Sequence, residues 1–272
     1  MTASESPLGK QTAYPQHYAP TLLHPIARAE SRAALGLGSD LPFHGVDIWN
    51  AWELSWLDKN GKPEAASAEI RVAADSANIV ESKSLKLYLN SFSMSRFESA
   101  DEVASLVEND LQKCVAGDIS LRLERPQATD ARTTQILSGT CIDNMQLTCD
   151  SYEVDAELLS SDADQIVDAT LHSHLLRSLC PVTAQPDSGS VLIEYSGAKI
   201  EPASLLRYIV SFRNHSDFHE ACVERIFQDI KHQCGAERLT VYARYQRRGG
   251  IDINPFRSTE KTHAQNLRLW RQ

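Results

Sequence analysis

The feature that most constrains the fold is an internal repeat, because the chain matches itself when it is displaced by 120 residues. Nine identities fall within about forty aligned positions. They pair Glu81, Ser84, Leu85, Tyr88, Ser91, Phe92, Val103, Cys114 and Ala116 with Glu201, Ser204, Leu205, Tyr208, Ser211, Phe212, Val223, Cys234 and Ala236. The apolar positions between the identities also keep their register. A duplicated core must keep its period, so the sequence predicts two related modules.

Each copy predicts the same order of elements. A hairpin comes first, with strands at Val46–Leu57 and Ala68–Ala73 around a turn at Asp58–Gly61. Two helices with apolar residues three and four positions apart follow, and an alternating strand closes the copy. The predicted fold is therefore α+β, strand-strand-helix-helix-strand-strand twice, with antiparallel sheets and helices on one face. We assign residues 1–40 to an N-terminal arm, 41–145 to the first module and 146–272 to the second.

Charge and cysteine content exclude several classes of protein. Lys and Arg number 27 against 36 Asp and Glu, and a net charge of -9 argues against binding to a nucleic-acid backbone. No apolar run approaches the length of a membrane span, and the N-terminus lacks the order of a signal peptide. We therefore expect a cytoplasmic protein with six free thiols. His219 and Cys222 have the spacing of two metal ligands, but zinc needs three or four, so no metal is predicted.

The first candidate for chemistry is Cys180, which precedes Pro181 at the end of a predicted strand, Thr170–Leu179. Asp187 follows seven residues later in a turn. A cysteine nucleophile needs thiolate character and access, and a turn can supply both. Spacing alone fits a buried thiol and a turn aspartate better than it fits a catalytic pair.

Two further candidates lie at predicted helix starts. Ser82 and Lys83 could bind an anion with the free N–H groups of the helix, beside Glu81, although an ordinary capped helix fits the same pattern. His219 and Glu220 could handle protons or bind a base in a cleft. Glu220 also has a structural interpretation, as the partner of Asp217 in a capping box.

A basic turn forms the last candidate. Arg247 and Arg248 precede Gly249 and Gly250, so the backbone can bend close to a phosphate that the guanidinium groups hold. An exposed turn that closes a hairpin is an equal alternative. The chain has no Rossmann or Walker sequence, so a nucleotide would have to bind by other means.

Together these segments resemble one family, the NADPH-dependent 7-cyano-7-deazaguanine reductases of queuosine biosynthesis, in their long two-module form. The resemblance rests on four motifs in order, 81–88, 180–187, 218–220 and 247–250. It covers the chain from about residue 40. It implies a tunnelling fold, which these nitrile reductases share with GTP cyclohydrolase I, and a homodimer.

The resemblance also implies roles for the candidate residues. Cys180 is the expected nucleophile, which forms a covalent thioimide with the nitrile, and Asp187 the expected proton donor. His219 is expected in the later proton transfers. The deazapurine substrate would be bound by the group Val80, Glu81, Ser82, His219 and Glu220. NADPH, used twice in each turnover, would be held by Ser82, Lys83, Arg248 and Gly249.

One departure from the shorter members of the family affects this assignment. The Glu-Ser-Lys and His-Glu stretches lie on different copies here, so we expect a pocket formed between halves or across a dimer. Three alternatives to nitrile reduction stay open. They are a cyclohydrolase-like hydrolase with His219 and Cys222 on zinc, a non-catalytic purine or pterin binder, and a nitrilase.

Overall fold

The computed structural model describes residue 15, residues 17–125 and residues 133–272. This part of the chain forms five α-helices and ten strands. The helices are α1 (Arg28–Ala34), α2 (Ser82–Asn90), α3 (Ala100–Val115), α4 (Pro202–Ser211) and α5 (His219–Cys234). The strands are β1 (Pro25–Ala27), β2 (His44–Leu57), β3 (Pro63–Ala73), β4 (Asn78–Val80), β5 (Ile119–Glu124), β6 (Thr140–Cys141), β7 (Ser161–Leu179), β8 (Pro186–Ile200), β9 (Arg238–Tyr245) and β10 (Ile251–Ser258). Among these residues, no helix combines the length and the apolar character that crossing a membrane requires.

The chain divides into two compact units, each built from separate stretches of sequence. The first unit comprises Met1–Glu30, Asp47–Arg132 and Arg247–Ile253. The second comprises Ser31–Val46, Thr133–Gln246 and Asn254–Gln272. Strands β2 and β10 contribute residues to each unit. The predicted module boundaries at residues 40 and 145 remain a prediction.

In the first unit, strands β5, β3 and β2 are neighbours in that order. Strands β3 and β5 are antiparallel, with Ile70 opposite Leu121. The apolar faces of α2 and α3 share one core with the sheet, since both helices are amphipathic at the predicted spacing. Its buried members include Trp49, Leu54, Ile70, Leu85, Tyr88, Phe92, Val103, Val107 and Leu111.

In the second unit, β9, β8, β7 and β6 are neighbours in that order. Strands β7 and β8 form a long antiparallel hairpin in which Ser178 lies opposite Asp187. Strand β9 pairs antiparallel with β8 and with β10. The buried faces of α4 and α5 supply Leu205, Tyr208, Ile209, Val223, Ile226 and Phe227. The closed end of the β7–β8 hairpin therefore carries both Cys180 and Asp187.

The structure confirms the α+β class and the repeat. Displacement by 120 residues carries β2 onto β7, β3 onto β8, α2 onto α4, α3 onto α5 and β5 onto β9. The second copy has the full predicted order of six elements, from β7 to β10. In the first copy, β5 is followed by residues 126–132, which lie outside the described residues. The second closing strand predicted for that copy is not observed in the described part.

The N-terminal arm assigned to residues 1–40 contains regular structure in its described part. Residues 1–14 and 16 of the predicted arm lie outside the described residues, but Pro20–Leu22 forms a 3-10 helix that leads into β1. The N–H of Glu81 donates to the carbonyl of His24, and β1 pairs with β4. The same contacts recur in the second copy, where the N–H of Glu201 donates to Ser160. The described part of the arm therefore makes a contact with the first copy that has a counterpart in the second.

Candidate active site

The loop at the end of the β7–β8 hairpin fixes the position of Cys180. The N–H of Cys180 donates to the carbonyl of Gln185 at 2.9 Å, and the N–H of Ala184 donates to the carbonyl of Cys180 at 2.9 Å. Ala184 has a φ of 54°, a left-handed conformation that costs energy for a residue with a Cβ. These bonds hold a buried thiol at a closed turn.

The carboxyl group of Asp187 lies at the same end of this hairpin. Asp187 is the second residue of β8, and its cross-strand partner is Ser178, two residues before Cys180. Its side chain is buried, and its Oδ2 lies 3.2 Å from Nε2 of His219. The structure thus brings Asp187 and His219 together from elements that are distant in sequence.

An aromatic ring supports the imidazole of His219. His219 is the first residue of α5, and its ring stacks on the ring of Tyr245 with centroids 3.7 Å apart and planes inclined by 3°. Its Nδ1 is buried and has no hydrogen-bond partner among the described residues. The ring is thereby held flat, with Nε2 directed to Asp187.

Tyr245 is a neighbour of the candidate site that no sequence motif predicts. It is the last residue of β9. The pattern carries no signal for this role, because the contact depends on how β9 and α5 pack. Burial raises the pKa of the Tyr245 hydroxyl well above its usual value, so the phenol stays protonated.

Glu220 does not take part in a capping box, so that interpretation was wrong. Helix α5 begins at His219, its N-cap residue is Phe218, and Phe218 makes no side-chain capping bond. Asp217 instead accepts the N–H of Phe218 at 2.8 Å. Glu220 is only 3% exposed although it carries a carboxyl group. A buried acid without a capping role in the helix start is typical of a binding site.

The His219–Cys222 metal pair finds no support in the part of the chain that the structure describes. The one His, Cys, Asp and Glu group close enough to hold an ion there consists of Cys141, His172 and His174. Cys222 is buried and faces the hydroxyls of Ser178 and Tyr245, and burial raises the pKa of its thiol far above the usual value. A thiol that stays protonated is a poor metal ligand.

The first unit holds the motif that begins with Glu81. Both carboxylate oxygens of Glu81 cap helix α2, since Oε1 accepts the N–H of Lys83 at 2.9 Å and Oε2 accepts that of Ser84 at 2.7 Å. The structural alternative for this motif is thus observed. Two of the N–H groups expected to bind an anion are already occupied. Val80 ends β4 and is buried, and Ser82 is the first residue of α2.

The basic turn lies against α2 within the same unit. Gly249 and Gly250 have φ of 61° and 79°, which the turn requires and which favours glycine. A Cβ added at Gly249 would lie 3.3 Å from Cε of Lys86, so the Lys86 stem runs along the turn. Lys86 follows Lys83 by three residues on α2 and therefore projects from the same face. Lys86 is a further cation that the candidate set omitted.

Comparisons with known proteins identify the family of this chain. A family model described as "Nitrile reductase, 7-cyano-7-deazaguanine-reductase N-term" matches residues 14–123. A second, described as "QueF-like protein", matches residues 186–264. A curated relative from Bordetella avium (strain 197N), named NADPH-dependent 7-cyano-7-deazaguanine reductase, is 53% identical over 97% of each chain.

The chain belongs to the 7-cyano-7-deazaguanine reductase family. A relative with the same name from Desulfotalea psychrophila is 49% identical and covers 98% of this chain and 97% of its own length. A solved structure titled as the archaeosine synthase QueF-Like in the apo form is 18% identical and covers 38% of this chain, with a TM-score of 0.31. The predicted family is thus confirmed by near full-length relatives.

Proposed function

We propose that the chain reduces the nitrile of 7-cyano-7-deazaguanine to the aminomethyl group, at the expense of two NADPH, in queuosine biosynthesis. The names of its near full-length relatives support this proposal. The observation that carries it is the Cys180 hairpin turn with Asp187 beside it, whose carboxylate lies 3.2 Å from His219. A nucleophile, an acid and a proton-transfer group then belong to one constellation.

The proposed first step is addition of Cys180 to the nitrile carbon. The Sγ–C bond forms as one π bond of the nitrile breaks, and the electron pair goes to nitrogen. Asp187 donates a proton to that nitrogen and takes up the thiol proton, so charge and atoms balance. The resulting thioimide has a C=N carbon that accepts hydride far better than a nitrile does.

We assign the later proton transfers to His219, whose ring stacks on that of Tyr245. Two hydrides and two protons convert the nitrile to the amine, so protons must arrive in turn at one nitrogen. His219 can exchange a proton with Asp187 through Nε2 while Tyr245 keeps the imidazole plane fixed. A general acid that is held in place loses less entropy in each transfer.

NADPH, when bound, supplies the two hydrides. The residues proposed to hold it are Ser82, Lys83, Arg248 and Gly249, and Lys86 joins them because its stem runs along Gly249. These residues fit the phosphates of a dinucleotide. Lys83 and Lys86 lie on one face of α2, beside a turn in which Gly249 and Gly250 have positive φ. No Cβ at Gly249 obstructs close approach of a phosphate to the backbone.

We assign recognition of the deazapurine base to Glu220, with Val80, Glu81, Ser82 and His219 as further contacts. The ring N–H and the 2-amino group of the base are parallel donors, which one carboxylate can accept together. Glu220 is favoured over Glu81, because both oxygens of Glu81 already accept backbone N–H groups. We further propose a cytoplasmic homodimer that acts on the free base and not on nucleic acid.

The decisive experiment combines a spectrophotometric assay with intact-mass measurement. Purified protein should oxidise two NADPH for each 7-cyano-7-deazaguanine consumed, and without NADPH it should gain the substrate mass. Cys180→Ala should lose both signals, and Cys149→Ser should keep both, because Cys149 belongs to no candidate site. Turnover by Cys180→Ala would refute the covalent route.

The same assay separates the alternatives. A binder would neither oxidise NADPH nor gain mass, and a nitrilase would release ammonia without NADPH. Asp187→Asn should slow formation of the adduct at least about tenfold, since the amide cannot donate an acidic proton. An unchanged rate of adduct formation would remove the role given to Asp187.

A further inference from the structure

A group of side chains away from the proposed catalytic residues has the composition of a metal site. Cys141, His172 and His174 each offer one ligand atom, and these atoms all lie within 4.8 Å of one another. Cys141 comes from β6, which pairs in parallel with β7 so that Cys141 lies beside His172. The two histidines are two residues apart on β7 and so project from the same face.

Hydrogen bonds orient both imidazole rings as they would for a metal. Nδ1 of His172 lies 2.8 Å from the carbonyl oxygen of Ser138. A carbonyl can only accept, so Nδ1 carries the proton and Nε2 keeps its lone pair. Nδ1 of His174 lies 2.7 Å from the hydroxyl of Ser190, which leaves Nε2 of that ring for a ligand bond. Metal-binding histidines commonly have such a partner on the second ring nitrogen.

The segment that carries Cys141 is held closely against β7. A Cβ at Gly139 would lie 2.2 Å from the carbonyl oxygen of Thr170, so only glycine permits this approach. Asp143 accepts the hydroxyl of Ser173 at 2.6 Å and the N–H of His174 at 2.9 Å. The ligand atoms are therefore brought together by contacts that do not depend on an ion.

Arg271 makes a further hydrogen bond to the backbone of β7 at His174. Its Nη2 donates to the carbonyl of His174 at 2.9 Å. The Asp143 carboxylate, which accepts the N–H of His174, lies near enough to Arg271 to offset part of its positive charge. The local charge therefore stays compatible with a cation.

We propose that Cys141, His172 and His174 bind one zinc-class divalent ion, with water in the fourth position. One thiolate and two imidazoles suit Zn²⁺, with bonds of about 2.3 Å to sulfur and about 2.0 Å to nitrogen. A tetrahedral zinc site needs ligand atoms about 3.5 Å apart, so the longest of the present separations must shorten by about 1 Å. Cys141 is exposed and can make this adjustment by rotation of its side chain.

The proposal departs from the prediction of no metal. The site would fasten a strand of two residues to β7, since binding to the folded state alone stabilises it. It has no part in the proposed nitrile chemistry. Loss of the ion should therefore change stability more than turnover.

The test uses chelator-treated protein titrated with Co²⁺, whose thiolate complexes absorb in the near ultraviolet. Wild type should bind one equivalent with a sulfur charge-transfer band. Cys141→Ser should lose this band, and Cys149→Ser should keep it. His172→Asn retains a donor for the Ser138 carbonyl but has no Nε2, so it should weaken binding at least about 100-fold.

Thermal unfolding and activity of the same variants test whether a substitution acts on metal binding or only on folding. Zn²⁺ should raise the Tm of wild type and of Cys149→Ser but not that of Cys141→Ser, while the NADPH oxidation rate of all three without metal stays the same. The proposal is overturned if wild type binds no stoichiometric ion. It is also overturned if Cys141→Ser gives the wild-type spectrum, because another thiol would then be the ligand.

Discussion

The imidazole of His219 has a different kind of neighbour on its edge and on its face. The Asp187 carboxylate lies at Nε2, and the ring of Tyr245 covers one face. In the proposed mechanism the edge contact moves a proton, whereas the face contact only fixes the plane of the ring. These two functions can be separated by substitution.

We expect Tyr245→Phe to keep activity within about threefold and Tyr245→Leu to lower kcat at least about tenfold. Phenylalanine retains the flat surface below His219 and removes only a hydroxyl, whereas leucine removes the surface. Steady-state NADPH oxidation gives both values, and circular dichroism verifies that each variant folds. Equal rates for the two variants would contradict a positioning role.

A second histidine predicts how stability depends on pH. Burial and the nearby Arg225 lower the pKa of His215 to about 4, so the folded protein favours the neutral ring. The unfolded chain takes up this proton near pH 6.5. The stabilisation is therefore complete above about pH 6.5 and is lost as pH falls towards 4. Burial raises the pKa of neighbouring Asp217, which opposes part of this loss.

Between pH 6.5 and 4, the free energy of unfolding of His215→Phe should fall by about 1–2 kcal/mol less than that of wild type. This figure is reduced for solvent screening at the ring. Phenylalanine keeps the edge-on contact with Phe212, whose centroid lies 5.3 Å away. Urea unfolding at several pH values measures the change. His263→Gln is the matched control, because His263 is exposed and should leave the profile unaltered.

At this scale the sequence motifs predict Cys180, Asp187, His219 and Glu220 as candidates, but they do not predict the contact of Tyr245 with His219. Cys180 and Asp187 lie in one short turn, so their proximity follows from local structure. Tyr245 meets His219 only through the packing of β9 and α5, which separate segments determine. No local pattern encodes such a contact.

Helix starts differ between the two copies in a way that bears on function. In the first copy Glu81 caps α2, and Ser99 caps α3 by accepting the N–H of Glu102. In the second copy neither α4 nor α5 has a side-chain cap. His219 and Glu220 occupy the start of α5. The Ser99 cap of α3 thus corresponds in the second copy to His219, to which we assign proton transfer.

Glu81→Ala should lower the free energy of unfolding by about 1–2 kcal/mol, because two N–H groups of α2 lose their acceptor. Glu201→Ala is the matched control from the second copy, and should change stability by less than about 0.5 kcal/mol. Glu201 is the N-cap residue of α4 but makes no side-chain capping bond. Urea denaturation compares the two, and equal losses would contradict the capping role.

The capping box predicted for Asp217 and Glu220 failed for a reason that lies outside the helix. The N–H of Asp217 donates to the carbonyl of Leu179, and Ser216 bridges to the same residue. This contact with the end of β7 holds Asp217 in an extended stretch, so the helix starts two residues later. Sequence patterns predict helices well, but tertiary contacts decide where each one begins.

For the whole molecule, duplication has not produced two sets of reactive residues. The positions of Cys180, Asp187 and His219 correspond in the first copy to Asn60, Ser67 and Ser99. None of these can replace the thiol, the acid or the imidazole. The first copy retains the scaffold without this chemistry.

We therefore expect one covalent adduct in each chain when the substrate is added without NADPH. Intact-mass measurement of the saturated protein should show a single added substrate mass. Cys180→Ala should show none even at long incubation, which controls for reaction at exposed thiols such as Cys141. Two adducts on wild type would indicate that a second thiol reacts.

The repeat at 120 residues predicted most of the fold, because core periodicity survives where individual residues do not. The N-terminal segment was missed because it repeats at a different spacing. Leu22 and Leu23 correspond to Leu158 and Leu159, 136 residues later, and each pair closes a similar 3-10 turn. A search at one fixed displacement cannot find both relations.

The change of spacing lies at a definite point in the sheet. In the second copy one continuous strand, β7, runs from Ser161 to Leu179 with a register shift between Asp162 and Ile166. In the first copy the corresponding place is taken by α1 and the residues that lead into β2. Extra chain has thus been accommodated there without loss of the pairings on either side. The register shift at Ala163, Asp164 and Gln165, which are exposed, is consequently a natural entry point for inserted sequence, such as a reporter peptide or a sensing domain.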